Sequence, residues 1–206
     1  FQINNRSVDI VNLLKVYISQ IESYAVSRGI NLAFNCSTEK LICSIDIDKL
    51  ETAIFNLLSN AIKFSNPGGK VNLNLTALDS EFEISVIDNG IGIENVDKVF
   101  NRFYQESSES NRKYEGTGIG LALTKEIVDI LAGRIVCESV RGVGTSFRIT
   151  FPLNRGEISE IDQKDISVRE YQLADFDYQP KYSARSFNGK FKNILLLEDN
   201  DELSEY

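Results

Sequence analysis

The sequence predicts an α/β (α+β) two-layer sandwich, a mixed β-sheet covered on one face by about three helices. Three observations carry that expectation. Three stretches repeat apolar residues at helical spacing. Between and after them lie strand-like runs, clearest at Glu81–Asp88, where Phe82, Ile84 and Val86 alternate with Glu81, Glu83 and Ser85. Glycine-bearing turns separate these runs: Asn66-Pro-Gly-Gly69, Asp88-Asn-Gly90 and Arg141-Gly-Val-Gly144.

The first helix is expected over Val8–Arg28, capped by Ser7 and stopped by Gly29. Its apolar face holds Ile10, Leu13, Leu14, Val16, Tyr17, Ile21 and Ala25. Two short strands, Asn31–Cys36 and Leu41–Asp46, follow with a turn between them. The second helix covers about Asp48–Phe64, with an apolar stripe of Leu50, Ile54, Leu57, Leu58, Ala61 and Ile62. Strands Lys70–Leu78 and Glu81–Asp88 read as a hairpin. A third helix over about Ile119–Leu131 turns Ile119, Leu123, Ile127 and Ile130 inward and stops at Gly133. Strands Arg134–Ser139 and Thr145–Pro152 close the domain.

The 206 residues give room for one domain, 1–153, and a remnant. Residues 154–192 are polar without a sustained period and read as a linker spanning roughly 30–36 Å if flexible. Asn193–Leu197 reads as an apolar strand that ends in Glu198-Asp199, a pair suited to a divalent cation or to an exposed acidic turn. The net charge of −8 argues against nucleic acid or an anionic membrane as the main partner. No apolar run approaches the ~20 residues of a membrane span. Methionine is absent, which implies an excised segment. Histidine is also absent, which excludes an imidazole base, a Cys/His zinc site and a histidine phosphoacceptor within this chain. The three cysteines, Cys36, Cys43 and Cys137, suggest reduced, buried thiols. A Cys36–Cys43 bridge across a hairpin is the alternative.

Several side chains carry candidate chemistry. Asn56, Asn60 and Lys63 share one face of the second helix at i, i+4 and i+7. Asn is a poor helix former, at roughly half a kcal/mol against Ala, so a merely solvated face would favour Glu or Lys. Two amide oxygens and one cation suit a metal–nucleotide. Asp88 continues the apolar register of its strand, so its carboxylate turns toward the covered side of the sheet and needs a donor; turn chemistry is the plainer alternative. Gly90 and Gly92 follow at a spacing of two and permit close approach to backbone. Gly116, Gly118 and Gly120 then run into a helix start, which offers unpaired N–H groups to an anion. Their spacing is G-x-G-x-G, not the dinucleotide G-x-G-x-x-G, and a polar stretch, Gln105–Glu115, precedes them instead of a strand.

The combination resembles one family. Asn56-Leu-Leu-Ser-Asn60-Ala-Ile-Lys63-Phe64 looks like the N-box of the Bergerat-type ATPases of sensor histidine kinases. Asp88-Asn-Gly90-Ile-Gly92-Ile93 resembles their first glycine box. Val99-Phe-Asn-Arg102-Phe103-Tyr104-Gln105 resembles their F-box, and Gly116-Thr117-Gly118-Ile119-Gly120-Leu121 their second glycine box. Gly142-Val-Gly144-Thr145-Ser-Phe147 with Pro152 is similar to their closing segment. All stand in the family's order, over about residues 8–153. Asn193–Asp201 looks like the first strand of a receiver domain, which would make the parent a hybrid sensor.

The resemblance implies a Bergerat-type ATP-binding fold, with ATP and Mg²⁺ as cofactors. It implies that Asp88 accepts a hydrogen bond from the adenine amino group, with Thr145 nearby and Tyr104 beside the adenine or ribose. Asn60 would hold Mg²⁺, Asn56 would lie beside it, and Lys63 would neutralise phosphate; these three form the catalytic set. Gly90, Gly92 and Ile93 would line the nucleotide. Gly116, Thr117, Gly118, Ile119, Gly120 and Leu121 would form a lid base with N–H groups on the phosphates. Glu198 and Asp199 would be the Mg²⁺ acids of a complete receiver. The implied partners are a dimerisation hairpin of the same parent, bearing the phosphoacceptor histidine, and a receiver domain or response regulator. The implied setting is the cytoplasmic portion of a membrane-bound sensor, with this segment largely monomeric and out of contact with the membrane. One departure matters: many relatives carry arginine directly after the F-box Phe-Tyr pair, where this chain has Gln105. Arg102, Arg112 or Lys113 could substitute. A glutamate-dependent ATPase of the same fold is disfavoured by Asn56, and a nucleotide-sensing pseudokinase or interaction module is the remaining alternative.

Overall fold

Strand β1 (Asn5–Asp9) leads directly into helix α1 (Ile10–Ser27), followed by β2 (Asn31–Cys36) and β3 (Ile42–Asp46). Helix α2 (Ile47–Lys63), the hairpin β4 (Lys70–Ala77) and β5 (Glu81–Asp88), a short 3₁₀ helix (Val96–Lys98), helix α3 (Gly120–Ile130) and the hairpin β6 (Arg134–Val140) and β7 (Gly144–Pro152) complete the order. This computed structural model describes residues 2–106 and 117–154. The expected linker 154–192, the strand at 193–197, Glu198, Asp199, Arg112, Lys113 and Gly116 lie outside the described residues, save Asn154.

Five strands form one sheet in the order β2-β4-β5-β7-β6, with β2 parallel to β4 and every other neighbour antiparallel. β1 and β3 form a separate antiparallel pair. The expected mixed sheet with three helices is therefore present. Register explains the core. One row across the inner face is Leu75, Ile84, Ile149 and Ile135, and the next is Leu73, Val86, Phe147 and Cys137. Against these rows pack Leu13, Leu14, Tyr17 and Ile21 of α1 and Leu50, Ile54, Leu57 and Leu58 of α2. The row after that turns polar: Val71, Asp88, Thr145 and Ser139. The apolar core thus ends where β5 ends.

Four expectations need correction. Ser7 does not cap α1. It lies in β1 opposite Ser44, and Asp9 caps the helix, its Oδ1 accepting from the N–H groups of Val11 (3.1 Å) and Leu41 (3.1 Å). Pairing with β3 makes residues 5–9 extended, and that partner is remote in sequence. For the same reason β2 and β3 are not a hairpin: each finds a different partner. The inward face of α3 is Ala122, Thr124, Ile127 and Val128, while Ile119 and Leu123 are both 40% exposed. Close packing of α3 on α2 selects the small side chains over the large ones. Finally, all three cysteines are free, but only Cys43 and Cys137 are buried; Cys36 ends its strand exposed. Burial, and after it the charges of Asp88 and Glu138, pushes the Cys137 thiol up to about 12, so it stays protonated. Among the described residues no helix is long and apolar enough to cross a membrane.

Asp46 ties the N-terminal segment to α2. It is 2% exposed and caps the helix, accepting from the N–H groups of Lys49 (3.1 Å) and Asn4 (2.9 Å) and from Lys49 Nζ (2.7 Å). Burial alone would raise its carboxyl, but these bonds together hold it below the usual carboxylate range. A lowered folded-state value makes its contribution fully present at neutral pH and lost as pH falls through that value. Asp46→Ala is expected to cost about 1–2 kcal/mol in urea unfolding at pH 7, and the deficit should shrink below about pH 3.8.

Candidate functional site

Helix α2 collects the site. Asn56, Asn60 and Lys63 stand on its half-exposed side, as their spacing predicts. One end of this face meets α3 and the other meets the loop after β5. At the first, Asn56 Nδ2 donates to Thr124 Oγ1 at 2.6 Å, and a Cβ on Gly120 would overlap Asn56 Oδ1. At the second, the Phe64 carbonyl oxygen that ends α2 accepts from the Ile91 N–H at 3.1 Å and would clash with any Cβ on Gly90. Asn60 lies one turn, about 6 Å, from each contact. Its side-chain amide makes no hydrogen bond among the described residues. Lys63 Nζ sits 5.8 Å from the Phe64 ring centroid.

Asp88 closes the sheet end of the site. Its Oδ1 accepts from the N–H groups of Gly90 (2.8 Å) and Thr145 (3.3 Å). Burial pushes the carboxyl above its ordinary range, and those two N–H groups pull it back. Its Oδ2 has no donor among the described residues. A half-buried acceptor of this kind is open to a donor supplied by a ligand. Thr145 Oγ1 lies 3.0 Å from Ser139 Oγ, which accepts from the Ile93 N–H at 2.7 Å. Ser139 therefore fastens the loop carrying Gly90, Gly92 and Ile93 to the β6–β7 hairpin. It is absent from the residues singled out by sequence. The turn Arg141–Gly144 could have identified it, because the hairpin register sets Ser139 opposite Thr145. Gly92 also meets protein backbone, at the Val140 carbonyl.

The segment around Phe103 forms the outer wall. Gly118 has φ +68°, and its carbonyl accepts from the Phe103 N–H at 2.8 Å. A Cβ there would approach the Phe103 backbone to 2.8 Å and the Tyr104 carbonyl to 2.9 Å, so only glycine fits. Phe103 itself has φ +64° and is 73% exposed. Tyr104 is half-buried beside this contact, and Thr117 and Gly118 are half-buried before α3. Ile119 is exposed, whereas Leu121 packs against the core. Arg102 does not reach α2: its Nε and Nη2 donate to Glu126 Oε1 of α3 at 3.1 and 2.6 Å. The structure thus brings together α2, the end of β5, the start of β7 and the start of α3, and leaves Arg102 on the rim. Thr124 is the second residue missed by sequence; a Thr four residues after Gly120 on an otherwise apolar helix side was the available signal.

Among the described residues no cluster of three or more acidic, Cys or His side chains could hold a metal. The donors present are amide oxygens on α2 beside a cation, which fits Mg²⁺ held jointly with phosphate oxygens, the usual mode for that ion.

Residues 45–155 match the family described as histidine kinase-, DNA gyrase B-, and HSP90-like ATPase. The chain belongs to that family. It is 34% identical over 167 residues to the sensor histidine kinase WalK of Bacillus subtilis, covering 79% of this chain and 27% of that protein. The chain spans about a quarter of the length of such relatives. Full-length ShkA in complex with AMPPNP superposes with a TM-score of 0.68 at 25% identity, over 77% of this chain and 33% of that one. Histidine kinase ThkA in complex with the response regulator protein TrrA superposes at 0.63 and 21% identity, over 74% of this chain and 42% of that one. Within the family, then, this is a histidine-kinase-type catalytic domain.

The Gly120–Asn56 contact yields a direct test. Gly120→Ala should gain about 1 kcal/mol of helix propensity but lose about 1–3 through overlap with the pinned Asn56 amide. In an Asn56→Ala background the overlap disappears and the same substitution should stabilise. Urea unfolding of the four proteins measures the coupling.

Proposed function

We propose that this domain binds ATP with Mg²⁺ and is the catalytic domain of a two-component sensor histidine kinase. It transfers the γ-phosphate to a histidine on a dimerisation hairpin of the same parent, for relay to a receiver aspartate. The observation that carries the reading is Asp88: a half-buried carboxylate with one oxygen held by two backbone N–H groups and the other without a donor among the described residues, beside the Asn60–Lys63 face. A donor–acceptor edge such as that of adenine, with its exocyclic amine, completes such a group. Family membership supports the same ligand, and the ShkA relative is described with AMPPNP.

In this reading Asp88 and Thr145 hold the adenine end. Gly90, Gly92 and Ile93 line it, with Tyr104 alongside. Asn60, with Asn56 beside it, holds Mg²⁺, which neutralises phosphate charge and orients the phosphates when bound. Lys63 adds a fixed positive charge, and the N–H groups from Thr117 to Leu121, with Gly116 before them, face the phosphates. Positioning and charge neutralisation are what phosphoryl transfer requires of a protein. The chain has no histidine, so the nucleophile is a neutral imidazole nitrogen from the hairpin; its lone pair attacks phosphorus as the bond to ADP breaks. The domain works on the cytoplasmic side, as a monomer apart from the hairpin, without direct contact with membrane or nucleic acid. Residues 1–153 form the catalytic domain, 154–192 a linker and 193–206 the start of a receiver. There Glu198 and Asp199 serve the metal of the complete unit; the ThkA–TrrA complex supports a receiver-type partner.

Exposed apolar side chains beside the site support a protein substrate. Phe103, Ile119 and Leu123 are all exposed, and Phe103 is held in a strained backbone region by its bond to Gly118. They offer the hairpin a surface at the phosphate end. A pseudokinase or nucleotide-sensing module is the second reading. It is favoured by Gln105 and by the Arg102–Glu126 pair, which leave no arginine on the described inner wall.

Calorimetric titration with ATP, with and without Mg²⁺, tests the binding reading. Saturable binding is expected, with Asp88→Asn weakening it by about 10-fold or more; no binding by the folded wild-type chain overturns the proposal. Labelling of added hairpin protein from ATP separates kinase from pseudokinase. Phe103→Ser is expected to leave ATP affinity within about 2-fold while lowering that labelling about 10-fold.

A further inference from the structure

We propose that Thr124 is a positioning residue: its hydroxyl decides which end of the Asn56 amide is offered to a bound metal–nucleotide. The inference rests on the reading of the α2 face as a metal–phosphate site, and it adds a residue that the sequence motifs do not contain.

Thr124 is 1% exposed, on the side of α3 that packs against α2. Its hydroxyl has one proton to give. Oγ1 lies 3.0 Å from the Gly120 carbonyl oxygen, which can only accept, so the proton goes there. Toward Asn56, at 2.6 Å, the same oxygen is then confined to accepting. The Asn56 atom facing it must be the NH₂ group, and the orientation of the amide follows from this chain of bonds. Oδ1 is turned away, against Gly120, where a Cβ would overlap it. This is the only side-chain hydrogen bond of Asn56 among the described residues. Oδ1 makes none, yet it is not among the buried polar atoms without a partner, so solvent reaches it.

The consequence is electrostatic. An amide that leads with its oxygen offers a partial negative charge, which suits a divalent cation or its bound water. An amide that leads with NH₂ offers two protons, which such a cation repels. Removing the Thr124 hydroxyl removes the preference, because Gly120 has no side chain to replace it. Outer partners that orient a ligating group commonly change metal affinity by about 10–100-fold. The contact also makes the orientation depend on α3 being seated on α2, since both Thr124 and Gly120 belong to the first turns of α3.

The test compares wild type, Thr124→Val, Thr124→Ala and Thr124→Ser in the full chain. The quantity read is the gain in ATP affinity on adding Mg²⁺, as the ratio of Kd in EDTA to Kd in Mg²⁺. Thr124→Val and Thr124→Ala should reduce that gain by about 10-fold and leave the metal-free Kd within about 2-fold. Thr124→Ser, which restores the hydroxyl, should keep it. In the ligand-free protein, the Asn56 side-chain NH₂ resonances should move in the Val and Ala variants and stay in the Ser variant. Thr124→Ala only removes atoms, so it keeps the test open should the valine fail to fold. A wild-type gain retained in both folded variants, or lost equally in Thr124→Ser, overturns the proposal. A wild-type chain that binds ATP equally with and without Mg²⁺ overturns instead the metal–phosphate reading beneath it.

Discussion

The structure depends on the packing of other backbone against α2. At one end the helix is met by the start of α3, where Gly120 rests on Asn56 and Thr124 accepts its amide hydrogen. At the other end the Phe64 carbonyl receives the Ile91 N–H, and Gly90 lies against it. Both contacts require the absence of a Cβ, so α2 holds its neighbours at backbone distance. Asn60 and Lys63 lie between or beside these clamps. Protein interiors are close-packed and not freely deformable, so two clamps about two turns of helix apart fix the direction of everything on that face.

The sheet supplies the second constraint. Its inner rows are apolar through Ile84 and Val86 and become polar at Asp88, Thr145 and Ser139. A carboxylate at the margin of a core is costly without donors, and two backbone N–H groups meet part of that cost. Burial still pushes this carboxyl above its ordinary range, and a shifted carboxyl with one oxygen unclaimed by the described residues is the kind of group at which binding sites form. Ser139 makes the margin rigid by joining the β5 loop to the β6–β7 hairpin. The glycines of the two glycine-bearing segments accordingly have two consequences. Their lack of side chains opens the backbone, and the backbone they meet in this structure is the protein's own: Phe64, Val140, Phe103 and Tyr104.

Much of this was legible from sequence. The 3.6 period gave α2 to within a residue at each end, and the alternation of Phe82, Ile84 and Val86 gave β5 and turned Asp88 inward. These are local signals, carried by spacing alone. What failed was contact between remote segments. Ser7 looks like a helix cap because nothing near it reveals its strand partner Ser44. Ile119 and Leu123 look like core because a hydrophobic period does not say which side a neighbouring helix will occupy; Ala122 and Thr124 fit there and the larger residues do not. The pairing of Arg102 with Glu126, 24 residues on, is likewise a contact that no spacing announces.

The sequence by itself determined the helices α2 and α3, the central strands, the family and the residues grouped by spacing, because each follows from periodicity or from motifs in fixed order. Only the tertiary structure decided the pairing of β1 with β3, the inward side of α3, and the two residues that orient the site from behind, Ser139 and Thr124. Their importance lies in single hydrogen bonds to Ile93 and Asn56, respectively 46 and 68 residues away. A bond of that kind leaves no period in the sequence, since it exists only once the packed elements have brought its two ends together.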